Sequence, residues 1–250
     1  MQQRYFLEVS YFGKNYHGSQ SQINARTIQS ELENALQIYY RKEFSLVGAS
    51  RTDKGVHAIQ NFYHVDTDIC FSREQVYNIN SILPSDISLT GIYRSSPAFH
   101  ARFDAISREY RYYIHTAKNP FLKGRSWYFP YKISFELLDE YAFTILKTVD
   151  FTSFSKKGTD VKSSICRIEK ATWAYEGNNI ILTVQANRFL RGMVRGLTAT
   201  MLQCSRKNLP PFSFSTIVAG TNNLQADFSA PSHGLYLCSI HYGENVFQSI

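Results

Sequence analysis

The order in which apolar patterns follow one another constrains the fold of this chain more than any other feature of its sequence. From Tyr5 to Tyr11 apolar residues occupy every odd position, which predicts a strand. After Thr27, a residue type that often caps helices, apolar residues recur on one helical face as far as Tyr39. The other elements predicted for this half are strands at 44–48, 59–65 and 87–93 and a helix from Ser72, which has capping-box spacing with Gln75, to Pro84.

The second half of the chain repeats this order of strand, helix, strand, strand, helix and strand, although the two halves share no obvious sequence period. Its predicted elements are a strand at 107–115, a helix after Ser134, strands at 165–175 and 180–186 around a turn at 176–179, a helix at 188–205 and a strand at 235–242. Pro210 and Pro211 are expected to interrupt the chain between the last helix and the last strand.

Two β-α-β-β-α-β units match the ferredoxin-like topology, which RNA-recognition modules also use. We therefore predict an α+β protein with two ferredoxin-like (RRM-like) halves, residues 1–104 and 105–250, that form one continuous antiparallel sheet with a central cleft. Both halves lack the RNA-recognition consensus of a basic residue, glycine and clustered aromatics, which disfavours a sheet that simply stacks single-stranded RNA. Because this topology serves many unrelated functions, it predicts architecture and not activity.

The composition fits a folded protein and favours an RNA partner. Hydrophobic residues make up 44% of the 250 residues and charged residues 19%, as in globular proteins. The net charge of +7 and the aromatic content of 15% suit RNA, because cations hold phosphates and rings stack on bases, although many basic proteins bind no nucleic acid.

Other bulk features predict a cytoplasmic protein without membrane attachment or metal. No apolar run approaches the roughly 18–20 residues that span a bilayer, and the N-terminus lacks the apolar core of a signal peptide. The four cysteines lie far apart and show no metal-ligand spacing, so we expect reduced thiols and no metal site.

The segment from Gly48 to Ala58 contains the candidate for chemistry. Its carboxylate, Asp53, is flanked by the cations Arg51 and Lys54. Nearby cations keep a carboxylate ionised and therefore nucleophilic, and glycines allow the backbone to approach a ligand closely. On residue types alone, however, a structural turn with a surface ion pair is the favoured interpretation.

Residues 51–58, Arg-Thr-Asp-Lys-Gly-Val-His-Ala, resemble the Arg-Thr-Asp-x-Gly-Val-His-Ala signature of the tRNA pseudouridine synthase A family. Further segments resemble that family in the same order: residues 5–22, 99–112, 150–154, 186–195 and 230–237. These six blocks extend over nearly the whole chain, so the resemblance is specific.

The resemblance implies a pseudouridine synthase fold and an isomerase that needs no cofactor or metal. Such an enzyme breaks the N-glycosidic bond of a uridine, turns the base and rejoins it to the ribose through carbon 5. The implied nucleophile is Asp53; attack on ribose C1′, attack on the base and proton abstraction to a glycal all remain open. The implied substrate is uridine at positions 38, 39 and 40 of the tRNA anticodon stem-loop, and the implied assembly is a homodimer.

The resemblance also assigns roles to other residues. Tyr110 matches a tyrosine that stacks on the target base and acts in the final deprotonation; the alternative is a tyrosine of the sheet core. Arg195 matches an arginine that pairs with the catalytic aspartate. Arg51 matches one that assists extrusion of the base, which must leave its stack to be reached. His57 is expected to orient the loop through hydrogen bonds rather than to act as a general base.

Several cations are candidate RNA contacts. On the predicted helix, Arg188, Arg191 and Arg195 are spaced by three and four and so share one side, where like charges repel unless an anion offsets them. For Arg188 and Arg191 a solvated face remains the alternative. Lys54, Lys156 and Lys157 are candidate phosphate contacts, with a solvated surface equally open.

The chain departs from the family pattern at two places. It has Ser19 where a tryptophan is common, and residues 196–201 replace a glycine-rich continuation. We expect these changes to affect packing, dimer contacts or substrate range rather than the reaction. Two other functions stay open: pseudouridine synthesis on another structured RNA, and non-catalytic RNA binding.

Overall fold

The computed structural model describes residues 2–155, 163–221 and 225–249. Their contacts group into two compact α+β units, each with a mostly antiparallel sheet. The first unit contains the residues up to Ser107 together with those from Tyr236 onward, and the second contains Arg108–Leu235. Packing therefore joins the C-terminal residues to the first unit, although in sequence they follow the second. Lys156 and Lys157 lie outside the described residues.

The first unit begins with the predicted order of elements: β1 (Gln3–Tyr11), α1 (Ile28–Tyr40), β2 (Val47–Gly48), β3 (His57–Thr67), α2 (Gln75–Ile82) and β4 (Ile87–Ser95). Strand β1 lies between β4 and β3, antiparallel to both, and the short β2 pairs with the opposite edge of β3. The strand predicted at 44–48 was thus too long, since only its last two residues pair.

The start of one predicted helix is confirmed and the start of the other was wrong. At α1 the Thr27 side chain accepts a hydrogen bond from Ser30 N–H (3.2 Å), and the Ser30 hydroxyl oxygen accepts one from Thr27 N–H (3.0 Å), a complete capping box. Helix α2 begins at Gln75, three residues after the predicted start at Ser72. Half of the predicted capping box is formed, since the Gln75 side-chain oxygen accepts from Ser72 N–H at 3.0 Å, whereas the Ser72 hydroxyl donates to the Glu74 carboxylate.

The second unit contains most of β5 (Ala105–His115), then β6 (Trp127–Tyr128), α3 (Phe135–Lys147), β7 (Ile168–Glu176), β8 (Asn179–Ala186), α4 (Met193–Arg206) and α5 (Pro211–Ala219). Strand β8 lies between β5 and β7 and is antiparallel to both. Ser134 caps α3 as predicted, accepting from Leu137 N–H at 3.3 Å.

Two predictions for the second unit were wrong. The fourth helix begins at Met193, after Gly192 with φ of +75°, so Arg188 and Arg191 precede it and do not share a helical face with Arg195. The pair of prolines does not simply interrupt the chain: the second one occupies the first turn of α5, where a missing N–H costs nothing.

The last two strands, β9 (Leu235–Tyr242) and β10 (Gln248–Ser249), return to the first unit. Tyr236 and Leu237 of β9 pair in parallel with His57 and Ala58 of β3, immediately after the Asp53 loop. The Phe247 ring packs on Phe6 and Phe62, so Phe6, on the face of β1 opposite to Leu7, is also fully buried.

No helix within the described part of the chain has the length and apolar character needed to cross a membrane.

Candidate active site

Asp53 lies in the loop that joins β2 to β3 and is half-buried. Its own carbonyl oxygen accepts a hydrogen bond from Val56 N–H at 3.1 Å, which closes a turn over Lys54 and Gly55. At the start of the loop, Ala49 N–H donates to the Phe62 carbonyl at 2.8 Å. The backbone that carries the carboxylate is thus fixed on both sides of Asp53.

Ser19, on a different loop, holds the residues next to Asp53. It is only 2% exposed. Its hydroxyl oxygen accepts from Thr52 N–H at 2.8 Å and its hydroxyl donates to the Ser50 carbonyl at 3.3 Å. The backbone adds another bond, from Ser19 N–H to the Thr52 carbonyl at 3.1 Å. This residue, noted above as a departure from the family pattern, therefore contributes directly to the geometry of the loop.

Gly18 permits this close approach of the two loops. It has φ of +105°, a conformation that side chains with a Cβ rarely adopt. A Cβ at this position would also lie 2.8 Å from the Thr52 carbonyl oxygen.

A buried network of hydrogen bonds stabilises the Asp53 loop on its core side. The Tyr11 and Thr52 hydroxyls share a hydrogen bond of 2.9 Å, and the Asn61 amide donates to Tyr11 (3.3 Å) and to the Ser50 carbonyl (3.1 Å). Burial raises the pKa of Tyr11 to about 12. Its hydroxyl therefore keeps its proton at neutral pH and serves as a structural hydrogen-bonding group.

His57 fixes the end of the loop, as predicted. It is 1% exposed, and its Nδ1 accepts from Gly13 N–H at 3.0 Å. Its ring stacks on Phe12 with 4.2 Å between centroids. A buried imidazole whose Nδ1 accepts a hydrogen bond carries its proton on Nε2, which fits an orienting group.

Two of the predicted site cations flank Asp53 in the same loop. Arg51 and Lys54 are both exposed, and Lys54 Nζ lies 3.3 Å from His17 Nε2. These exposed cations on either side of a half-buried carboxylate present positive charge to an anionic ligand.

In the second unit, Tyr110 lies on β5 and is 9% exposed. The edge of its ring meets Phe189 at a centroid distance of 5.2 Å. Tyr112, two residues along the strand, is on the same face and is fully buried. The Tyr112 hydroxyl donates to the Pro231 carbonyl at 2.6 Å.

Arg195 is half-buried in the first turn of α4, and its Nε donates to the Ala230 carbonyl at 2.7 Å. Burial raises the pKa of Tyr112, and the nearby charge of Arg195 partly opposes that shift. The segment at Ala230–Pro231 therefore positions both side chains. Thr200, within the second departure from the family pattern, steadies that segment: its hydroxyl oxygen accepts from Asp227 N–H at 2.9 Å.

The other two predicted RNA contacts, Arg188 and Arg191, are exposed in the segment before α4. Asn187 shapes this segment, because its side-chain oxygen accepts from both Arg167 N–H (2.8 Å) and Arg188 N–H (2.9 Å). The first unit thus carries Asp53, Arg51 and Lys54 on one loop, and the second unit carries Tyr110, Arg188, Arg191 and Arg195.

Sequence reasoning missed several residues that support these candidates: Tyr11, Ser19, Asn61, Tyr112 and Phe189. A signal was available for Asn61, which follows Ile59 and precedes Tyr63 and Val65 on the odd positions of its strand, because a polar residue among apolar ones needs buried partners.

Among the described residues, no group of histidine, cysteine, aspartate and glutamate side chains could hold a metal ion.

Comparisons with known proteins give one consistent result. Residues 148–243 match the family model described as tRNA pseudouridine synthase. The proteins named tRNA pseudouridine synthase A in Parabacteroides distasonis and Bacteroides thetaiotaomicron are 40% and 39% identical to this chain; the matches cover 98% of this chain and 98% and 93% of theirs. The protein of that name in Bacillus subtilis is 32% identical, over 94% of this chain and 97% of its own.

Among solved structures, a dye-decolorizing protein from V. cholerae matches with a TM-score of 0.20 and 9% identity, over 94% of this chain and 91% of that one. This likeness bears on neither fold nor function. The full-length matches to curated relatives decide the family: the chain belongs to the tRNA pseudouridine synthase A family.

Proposed function

We propose that this protein is an isomerase that converts uridine to pseudouridine in tRNA, with Asp53 as its nucleophile. The observation that carries the proposal is the half-buried carboxylate on a loop held by Ser19, Tyr11 and Asn61, in a chain whose full length matches the family. Pre-organisation of this kind suits a group that must attack a substrate in one geometry.

The remaining candidates complete the proposed reaction. Arg51 assists extrusion of the target nucleotide, which has to leave its stack before a loop carboxylate can reach it. Tyr110 stacks on the extruded base, supported by the Phe189 ring at its edge. By its match to the family pattern, Arg195 is the arginine assigned to the catalytic aspartate, and its side chain is restrained by the Ala230 carbonyl.

The reaction balances without any added reactant, because the N-glycosidic bond that breaks and the carbon–carbon bond that forms belong to the same nucleotide. The three routes left open by the sequence, at ribose C1′, at the base or through a glycal, all use an ionised Asp53.

Further parts of the proposal concern substrate and architecture. The target is uridine at positions 38, 39 and 40 of the anticodon stem-loop, the enzyme is a cytoplasmic homodimer, and Lys54, Arg188 and Arg191 contact phosphates. In sequence, the two ferredoxin-like halves are residues 1–104 and 105–250, although the residues from Tyr236 onward pack in the first unit. The order β4–β1–β3–β2 in the first unit supports this topology.

The decisive test is Asp53→Asn, which keeps the shape of the side chain but removes its charge. Pseudouridine in an unmodified tRNA transcript, measured by tritium release or mass-shift labelling, should fall to the uncatalysed background while the Kd for tRNA changes little. Asp139→Asn on the exposed side of α3 is the charge-matched control and should keep full activity.

The same assay separates the alternatives. Turnover on other structured RNAs but not on tRNA would indicate a different substrate. A wild-type protein that binds tRNA but forms no pseudouridine on any RNA would be a non-catalytic RNA-binding protein. Full activity of Asp53→Asn would contradict the nucleophile.

A further inference from the structure

A cavity of about 280 Å³ lies within the first unit, beside the loop that carries Asp53. Its lining includes Ser19, Ser50 and Arg51, which belong to the loop and its support, and His100, Arg102 and Phe103 from the segment before β5. Pockets for drug-sized ligands usually measure about 300–1,000 Å³. The cavity is slightly smaller than such a pocket and therefore suits a ligand no larger than a single nucleotide.

The charge of the cavity is positive. Arg51 and Arg102 both contribute exposed guanidinium groups, and none of the lining side chains in the described part of the chain is a carboxylate. A concave wall with two guanidinium groups and no negative charge favours phosphate, because guanidinium offers paired donors that match phosphate oxygens.

The cavity also carries an exposed aromatic ring. Phe103 is 74% exposed, and its ring lies 4.3 Å from the His100 ring and 5.7 Å from the Arg102 guanidinium. Proteins that bind unpaired nucleotides combine such a ring, which stacks on a base, with cations that follow the phosphates.

The segment that presents this ring is held in place. Nδ1 of His100 accepts from Arg102 N–H at 3.1 Å, and the Asp104 carboxylate accepts from His100 N–H at 2.6 Å. The Asp104 N–H closes the turn on the His100 carbonyl at 3.1 Å. The exposed ring thus sits on a structured turn, so its exposure does not come from a loose loop.

We propose that this cavity binds one unpaired nucleotide of the RNA substrate close to the target uridine, with its base on the Phe103 ring and its phosphate on Arg102 and Arg51. This inference rests on the proposed function and adds a second nucleotide contact to it. Arg51 lines the cavity and precedes Asp53 by two residues, so the cavity lies beside the loop that carries the proposed nucleophile. Holding a neighbour fixes the strand while the target is extruded.

The test measures tRNA binding in the Asp53→Asn background, so that turnover does not interfere. Phe103→Ala should raise the Kd for an unmodified tRNA transcript about 5-fold to 150-fold, the effect of losing one base–aromatic stack. Phe103→Trp keeps a stacking ring and should bind within about 2-fold of the parent. Phe121→Ala, which removes a ring that is 87% exposed in the second unit, is the matched control and should not change the Kd.

The dependence of tRNA binding on salt distinguishes the contact to the base from the contact to the phosphate. Arg102→Gln should reduce the slope of log Kd against log salt by about 1, whereas Phe103→Ala should leave the slope unchanged. Arg73→Gln, an exposed arginine away from the cavity, is the control for lost charge.

Different results would contradict the nucleotide subsite and the proposed reaction. An unchanged Kd for Phe103→Ala, or an equal loss for Phe103→Ala and Phe103→Trp, would overturn the nucleotide subsite even in an active enzyme. A wild-type protein that forms no pseudouridine, but whose cavity variants still lose RNA binding in the predicted pattern, would overturn the proposed reaction and leave the subsite standing.

Discussion

Replacing Ser19 with alanine tests whether the loop that carries Asp53 is held from the neighbouring loop. The substitution removes a hydroxyl that is 2% exposed and that accepts from Thr52 N–H at 2.8 Å. The second bond of the hydroxyl, to the Ser50 carbonyl, is long at 3.3 Å, and that carbonyl also accepts from the Asn61 amide at 3.1 Å. The cost therefore comes mainly from the Thr52 N–H, which loses this partner in a buried place.

A buried donor left without its partner costs about 1–3 kcal/mol. Ser19→Ala should lower the free energy of unfolding by that amount. If attack requires a rigid loop, the lost hydrogen-bond energy raises the free energy of the transition state relative to the bound substrate by the same amount. We then expect kcat to fall by about 5-fold to 150-fold, with little change in KM.

Urea unfolding and steady-state pseudouridine formation measure the two effects. Ser21→Ala, an exposed serine on the same loop, is the matched control and should match the wild type in both assays. Wild-type stability and kcat for Ser19→Ala would refute the argument. A loss of stability with unchanged kcat would show that Ser19 supports the fold but not the reacting geometry.

Two further predictions concern pH and salt. His64 is buried, its Nδ1 accepts from Ala101 N–H at 3.1 Å, and burial lowers its pKa to about 4. Between about pH 6.5 and pH 4 the unfolded state binds more protons at this residue than the folded state does. The contribution of His64 to the free energy of unfolding is therefore complete above pH 6.5 and is lost as the pH falls, with a decrease of about 2 kcal/mol from pH 7 to pH 5. Urea unfolding of the wild type and of His64→Asn at both pH values checks this; the variant should lose less, and equal losses would contradict the assignment. For tRNA binding, log Kd should rise with log salt with a slope of about 4 if five side chains each neutralise one phosphate: Arg51, Lys54, Arg102, Arg188 and Arg191. A flat response in a salt titration would argue against the phosphate contacts.

The sequence predicted helices and strands well where the interactions that start or end them involve residues a few positions apart. Thr27 and Ser134 cap their helices as expected, because a capping residue and the N–H groups that it satisfies are neighbours in sequence. The start of α4 was misplaced because apolar spacing continues through Leu190 into the helix, and the pattern does not reveal the left-handed backbone at Gly192.

Features that depend on distant parts of the chain could not be read in this way. The alternation in β1 pointed to the odd positions as its apolar face, yet Phe6 at an even position is fully buried, because Phe247 from a distant part of the chain packs on it. The support of the Asp53 loop by Ser19 was missed for the same reason, since a serine in a polar loop carries no pattern that names its partner. The candidate Asp53 itself came from a family signature and not from local physics, which alone favoured a structural turn.

The return of the C-terminal residues to the first unit has a consequence for how the protein is made. Domains generally fold in order as the chain leaves the ribosome, the N-terminal one first. Here β9 pairs with β3 directly after the Asp53 loop, and Phe247 completes the core beneath the same sheet. The first unit, which carries the Asp53 loop, is therefore expected to complete its packing only after β9 and Phe247 have been synthesised, later than the whole of the second unit.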